Sequence, residues 1–297
     1  MFRFRTCIRH TILLIPMLIL ITSGCGKKES PTQSDPPAQI EKSAKRGLAY
    51  DLTQPADLEA LKSGVSWWYN WYFKTTAASD YNDTYQIEFI PMLWGRNASA
   101  DYTQLKNFIL SHPEIEYLLV LNEPNLTDQA NLTPDVAAVE WVKYEQVISE
   151  LAAQNRTVAL VGPAMTWGTL SGFSDPVVWL DAFYAEYSAA NGGRDPKIDY
   201  LAFHWYDYGL AAQLDRLQKY GKKIWITEMA NWNSQINSYE KMAEQMQQMV
   251  AVCENRSDVF RYAWFIGRGA EDRFTNLFNP SPGELNDLGN LYLSLPY

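Results

Sequence analysis

The run Tyr117-Leu-Leu-Val-Leu-Asn-Glu-Pro-Asn125 decides how this chain reads. Tyr117 to Leu121 are apolar without a break, and the run then turns polar at Asn122-Glu123 and meets a proline. A sheet wet on one face alternates apolar and polar residues, whereas a parallel strand covered on both faces is apolar throughout. Pro124 cannot donate to a ladder, so Asn122 and Glu123 fall where such a strand stops. Working outward, further β-rich runs recur at Gly47–Tyr50, Val65–Tyr69, Glu88–Leu93, Thr157–Val161, Tyr200–Trp205, Ile224–Thr227 and Arg261–Phe265, with this one taken as Tyr117–Asn122. Helical periodicity fills the spaces: Pro55–Lys62, Tyr102–Leu110, Pro134–Gln154, Val177–Ala189, Leu210–Tyr220, Tyr239–Cys253 and a last stretch near Leu285–Leu293. Only Ser79–Thr84 offers little more than a turn. Asp101 and Thr133 read as N-caps, the latter followed by a proline at the first helical position. Eight strands alternating with helices in about 250 residues predict an α/β fold, a single (β/α)8 TIM barrel over residues 46–297. The rival, an open doubly wound sheet, lacks its Gly-rich phosphate loop after the first strand.

The whole chain has 297 residues, 47% hydrophobic and 20% charged, which excludes wholesale disorder and fibrous architectures. A net charge of −9 argues against nucleic acid, whose phosphates recruit Lys and Arg clusters. Aromatics are abundant, with 11 Trp, 18 Tyr and 12 Phe, and suit partners that present C–H faces edged with hydroxyls. The three cysteines are Cys7, Cys25 and Cys253, too few and too scattered for a Cys-based metal site. Cys253 ends a helical pattern and reads as a small core residue. His10, His112 and His204 form no ligand pair at helical spacing and no Asp-rich calcium loop is present, so neither metal nor cofactor is expected. There is no Gly-x-Ser-x-Gly nucleophile elbow either.

At the amino terminus Arg3, Arg5 and Arg9 precede the apolar run Ile12 to Ile21, and Thr22-Ser23-Gly24 leads into Cys25. That order describes a secretory signal over residues 1–24, too short to span a bilayer. Because it ends in a cysteine it resembles a bacterial lipoprotein signal, which implies that Cys25 is lipidated. Residues 25–45, rich in Lys, Ser, Pro and Gln, read as a flexible tether with little to bury. The expectation is an exported envelope protein, a monomer, attached to the outer membrane or cell surface only through a lipid.

In a barrel of this kind the chemistry lies at the carboxyl ends of the strands. The residues there are Asp51, Trp68–Trp71, Trp94, Asn122-Glu123, Met165–Trp167, His204–Tyr206, Glu228 and Trp264. Glu123 and Glu228 stand out on the fourth and seventh strands, where opposite walls can bring two carboxyls to the separation of about 5–5.5 Å that retaining glycosidases need. Asp51 fits equally a cap for the first helix. Of Trp67, Trp68 and Trp71 at least one should line the cleft, and Trp68 is the choice. Trp94, Trp232 and Trp264, at or beyond strand ends, are placed to stack on a pyranose. Trp141 and Trp179 lie within helical patterns and read as packing residues, and Trp225 is expected to face the helix layer. Arg268 and Arg273 read as solvated charges.

These residues also carry a resemblance. Leu121-Asn-Glu-Pro-Asn125 and Trp225-Ile-Thr-Glu228 resemble the two signature segments of clan A glycoside hydrolases. Gly47-Leu-Ala-Tyr-Asp51, Val65-Ser-Trp-Trp-Tyr-Asn-Trp71, Phe89-Ile-Pro-Met-Leu-Trp94, Val161-Gly-Pro-Ala164 and Phe203-His-Trp-Tyr206 are similar to glycoside hydrolase family 128, which contains endo-β-1,3-glucanases. The resemblance runs from about residue 46 to residue 297. It implies a retaining double displacement with Glu123 as general acid/base and Glu228 as nucleophile, and Asn122 bonded to the sugar 2-hydroxyl. His204 or Tyr206 would hold the Glu228 charge in place. Trp68, Trp94, Trp232 and Trp264 complete the expected substrate-binding set. The implied reaction is endo-hydrolysis of β-1,3-glucan, a neutral polymer that an acidic protein does not repel as it would a polyuronate. Two alternatives stand beside it: another β-glucan, a β-mannan or transglycosylation on the same fold, and glycan capture at the cell surface without turnover.

Overall fold

Among the described residues nine parallel strands form one sheet in the order β3-β2-β1-β9-β8-β7-β6-β5-β4. They are β1 Arg46–Ala49, β2 Trp67–Tyr69, β3 Glu88–Phe89, β4 Met92–Leu93, β5 Tyr117–Val120, β6 Ala159–Met165, β7 Tyr200–Trp205, β8 Ile224–Met229 and β9 Val259–Trp264. The helices are α1 Pro55–Leu61, α2 Tyr81–Tyr85, α3 Ser99–Ser111, α4 Pro134–Ala152, α5 Pro176–Ala190, α6 Leu210–Leu217, α7 Tyr239–Asn255 and α8 Asp287–Ser294. The computed structural model describes residues 40–77, 80–97, 99–270 and 273–297. The signal over 1–24, the lipidation candidate Cys25 and the tether as far as residue 39 lie outside them. Among the described residues no helix is long and apolar enough to cross a membrane.

The strands at the two ends of the sheet order, β3 and β4, are halves of the single expected strand Glu88–Leu93, parted by Ile90-Pro91. Ile90 still donates to Trp68 (2.9 Å) and the Pro91 carbonyl still accepts from Leu119 (3.0 Å), so the ladder runs through the break and the sheet closes as an eight-position barrel. The barrel interior is filled by pairing large rings with small residues. Trp67 and Trp225 meet edge to face at 5.0 Å, in one cluster with Ala49, Ala164, Ala202 and Ala263. Gly47 belongs to the same logic, since a Cβ there would stand 2.2 Å from the Trp67 ring. At the amino-terminal end of the barrel, Arg261 lies 4.8 Å from the Tyr117 and Trp225 ring centres and pairs with Glu88 at 2.7 Å.

Three expectations change here. Trp225 faces the barrel interior rather than the helices, because the register of β8 shifts against both neighbours between Ile226 and Met229. That irregularity is what lets Trp225 and Glu228, an odd number of residues apart, both point inward. Asp101 is not a cap, because α3 begins at Ser99 and places Asp101 in its first turn. The segment 40–45, read as the end of the tether, is part of the folded unit. Lys42 Nζ donates to the carbonyls of Lys62, Val65 and Gln86, just past the ends of α1 and α2 (3.0, 2.7 and 2.7 Å). Lys45 Nζ does the same for Cys253, Glu254 and Arg256 at the end of α7. Helix carboxyl termini leave carbonyls unpaired and carry partial negative charge, so an ammonium group satisfies both demands.

Candidate active site

The carboxyl ends of the strands open into a cavity of about 980 Å³ whose lining includes Glu123 and Glu228. Glu123 reaches it through an unusual backbone. Leu121 and Glu123 take positive φ (55° and 46°), a region that non-glycine residues seldom occupy. Strict alternation would send Asn122 and Glu123 to opposite faces, but the two left-handed residues break it. Leu121 joins the outer core while Asn122 and Glu123 both line the cavity. The turn is held by Asn122 N–H to Trp94 (2.7 Å) and Glu123 N–H to Ala164 (2.8 Å). Asn125 adds a bond to Thr166 (2.6 Å) that ties the loop after β5 to the end of β6.

Glu228 arrives from β8 and is 5% exposed, Glu123 7%. Both Glu228 oxygens are engaged: Tyr69 Oη (2.9 Å) and Trp71 Nε1 (2.7 Å) donate to Oε1, and Tyr206 Oη donates to Oε2 through a short bond. His204, fully buried, stands between the two acids. Its Nδ1 is 2.8 Å from Glu123 Oε1 and 3.4 Å from Glu228 Oε2, and its Nε2 is 2.9 Å from Thr227 Oγ1. One ligand-type atom each from Glu123, His204 and Glu228 lie within 4.8 Å of one another, so the carboxylates approach at least that closely. Among the described residues this is the one cluster of three tight enough to share a metal ion, although hydrogen bonds inside the site engage the same side chains.

Electrostatics follow from this packing. Burial and then the Glu228 charge hold the Tyr69 and Tyr206 hydroxyls protonated well above the ordinary phenol range. Burial by itself pushes the His204 imidazole down. The Glu228 charge and the bond to Glu123 outweigh it, and the net shift is upward. Asn122 Nδ2 donates to Gln129 Oε1 (3.2 Å), while its buried Oδ1 has no hydrogen-bond partner among the described residues.

The structure brings together Glu123, Glu228, Asn122, His204, Tyr206, Trp94 and Trp232. Trp232 is 39% exposed and stacks on Tyr206 at 3.8 Å. It does not bring in Trp68 or Trp264. Both are paired in register with Leu48, on the outward side of the barrel wall, and both are fully buried. Trp68 packs on Tyr81 and Phe89, and Trp264 donates to the Thr275 carbonyl (2.8 Å). Trp71 is the member of its trio that enters the cleft. Asp51 neither lines the cavity nor caps α1, whose N-cap is Gln54; it accepts from Asn70 (3.1 Å). Arg268 is no solvated charge, for it makes a two-pronged ion pair with buried Asp57 (2.6 and 2.9 Å). Thr227 and Gln129 are unforeseen members, and Tyr69, Trp205 and Trp167, expected only as strand-end residues, join the site as well, Trp167 46% exposed on the cavity wall. For Tyr69 a signal existed: it alternates with Trp67, whose ring fills the space beside Gly47.

Comparison with known proteins places this geometry. Residues 47–292 match the family described as glycosyl hydrolase catalytic core. The crystal structure of a glycoside hydrolase family 128 (subgroup II) endo-β-1,3-glucanase from Pseudomonas viridiflava is 55% identical, covers 86% of this chain and all of that one, and superposes with a TM-score of 0.82. A subgroup I endo-β-1,3-glucanase from Amycolatopsis mediterranei, solved in complex with laminaritriose, is 25% identical over 85% of this chain and 99% of that one, with a TM-score of 0.64. Alkali-sensitive linkage protein 1 of Schizosaccharomyces pombe is 28% identical over 267 residues, 85% of this chain. The chain spans 45% of the length of that curated relative.

Proposed function

We propose, because this chain belongs to the glycosyl hydrolase catalytic core family and within it to glycoside hydrolase family 128, that it cleaves β-1,3-glucan internally by a retaining double displacement. Glu228 is the nucleophile in this reading. One of its oxygens attacks the anomeric carbon as the glycosidic C–O bond breaks, and Glu123 gives its proton to the departing oxygen. Water then attacks the same carbon, Glu123 takes a proton from it, and Glu228 leaves. The observation that carries the assignment is the approach of the two carboxylates to within 4.8 Å, with three protein donors on Glu228 and a single ring nitrogen on Glu123. An acid that must remain ionised gains from donors on both oxygens, whereas one that must carry a proton needs an oxygen left for it. Asn122 Oδ1, which has no partner among the described residues, suits a sugar 2-hydroxyl. Trp71, Trp94, Trp167 and Trp232 offer ring faces along a cavity with room for more than one sugar. The glucan-bound relative supports the substrate class.

The test combines a panel of β-1,3-, β-1,4- and mixed-linkage glucans and mannan with two variants. The wild type should release oligosaccharides of retained configuration from the β-1,3 polymer, and E123Q should lose about 10²–10⁴-fold in turnover while still binding glucan. Azide should rescue E123A with a product of retained configuration and E228A with an inverted one. Azide products of the opposite pattern would exchange the two roles, and cleavage confined to another polymer would replace the substrate. We further propose export and anchoring in a bacterial envelope through lipidated Cys25. C25A should then shift the protein from the membrane to the soluble fraction of an envelope preparation.

A further inference from the structure

Thr227 immediately precedes the proposed nucleophile, yet its hydroxyl serves the other acid. Thr227 Oγ1, His204 Nε2, His204 Nδ1 and Glu123 Oε1 form a buried line with separations of 2.9 Å across the first gap and 2.8 Å across the second. A hydroxyl can donate or accept, a neutral imidazole does one at each nitrogen, and a carboxylate only accepts. With Glu123 ionised and His204 neutral, one arrangement satisfies both gaps: Thr227 O–H donates to Nε2 and Nδ1–H donates to Oε1. The charge of Glu228, whose Oε2 is 3.4 Å from Nδ1, favours the proton on that same nitrogen. Tyr69, Trp71 and Tyr206 all donate to Glu228, so those groups do not compete for the ring.

We infer that Thr227 and His204 are positioning residues for the transferable proton of Glu123. By keeping Oε1 occupied as an acceptor, they confine that proton to Oε2, which has no hydrogen-bond partner among the described residues and belongs to a side chain lining the cavity. In the first step Oε2–H gives its proton to the glycosidic oxygen while Oε1 keeps the bond from Nδ1–H. In the second, Oε2 takes a proton from the attacking water. The imidazole keeps its own proton throughout, so no proton passes through His204. The inference rests on the acid/base role proposed for Glu123, and Thr227 is its outermost and most separable part.

T227V removes the hydroxyl at nearly constant shape, and T227S retains it. On polymeric β-1,3-glucan T227V should lose on the order of tenfold in kcat with KM unchanged, a part of what complete loss of general acid catalysis costs. T227S should restore most of the rate. With an aryl β-1,3-oligosaccharide whose leaving group departs without a proton, the T227V deficit in kcat/KM should shrink. Independently, 15N spectra of the neutral imidazole, assigned by comparison with H204Q, should show His204 protonated at Nδ1 in the wild type. A wild-type kcat in T227V, a deficit equal on both substrates, or protonation at Nε2 would overturn the inference. If the wild type cut no β-1,3-glucan, the proposed function would fall, and the imidazole spectrum would decide the hydrogen-bond order without it: Nδ1–H sustains it, Nε2–H refutes it.

Discussion

Glu228 shows how a single residue acquires its character from neighbours far away in the chain. Its three donors come from β2, from the residues just beyond β2, and from the residue just beyond β7. Hydrogen bonds to a charged group contribute about 1.5–3 kcal/mol each. Y206F should therefore lower kcat by roughly ten- to a hundredfold, an effect of the size of one such bond, with the loss seen in steady-state turnover on β-1,3-glucan. His204 supplies a pH prediction. Its folded pKa is raised above the ordinary value, so the stability it contributes is complete below about 6.5, the unfolded value, and disappears as pH rises through the folded value. The gap in urea midpoint between wild type and H204Q should be widest near pH 5 and narrow steadily toward pH 9; a gap that widened with pH would contradict the shift. Glu123 and Glu228 were legible in the sequence because each closes an apolar strand. Thr227 was not, since only the fold reveals that its hydroxyl meets the histidine of the next strand.

At the scale of elements, the alternation of each strand decides which Trp can touch substrate, and irregularities decide the exceptions. Trp68 and Trp264 were misplaced for one shared reason: both sit in register with Leu48 on the outward row, a relation that exists only once β1, β2 and β9 are paired. Trp225 and Glu228 were thought to point apart and do not, because β8 shifts register after Ile226. Helices α1, α2, α7 and α8 end on cations supplied by Lys42, Lys45 and Arg46, which lead into and open β1. Arg46, 1% exposed, donates to Tyr262 Oη and to the carbonyls of Tyr292, Leu293 and Leu295 at the end of α8, with Glu254 3.6 Å away. R46M leaves those groups buried and unpaired, and should cost about 3–5 kcal/mol in urea unfolding, far more than a surface arginine would.

At the scale of the molecule, the barrel is closed by contacts between the two ends of the folded unit. Lys42, Lys45 and Arg46 join the ends of α1, α2, α7 and α8, and Asp57 of α1 binds Arg268 beyond β9. A fragment beginning at residue 46 should consequently unfold at lower temperature than one beginning at residue 40, although every strand is present in both. Equal melting temperatures would show that the cations at the helix ends are dispensable. The sequence by itself determined the barrel and the two acids at the ends of its strands, because burial on both faces demands continuous apolar runs and polar residues collect where a run stops. Only the tertiary structure decided which aromatic rings reach the cleft, how close the two carboxylates come and which side chains hold them. Those depend on register shifts, on left-handed residues at Leu121 and Glu123, and on neighbours up to 159 residues apart in the chain, such as Tyr69 and Glu228.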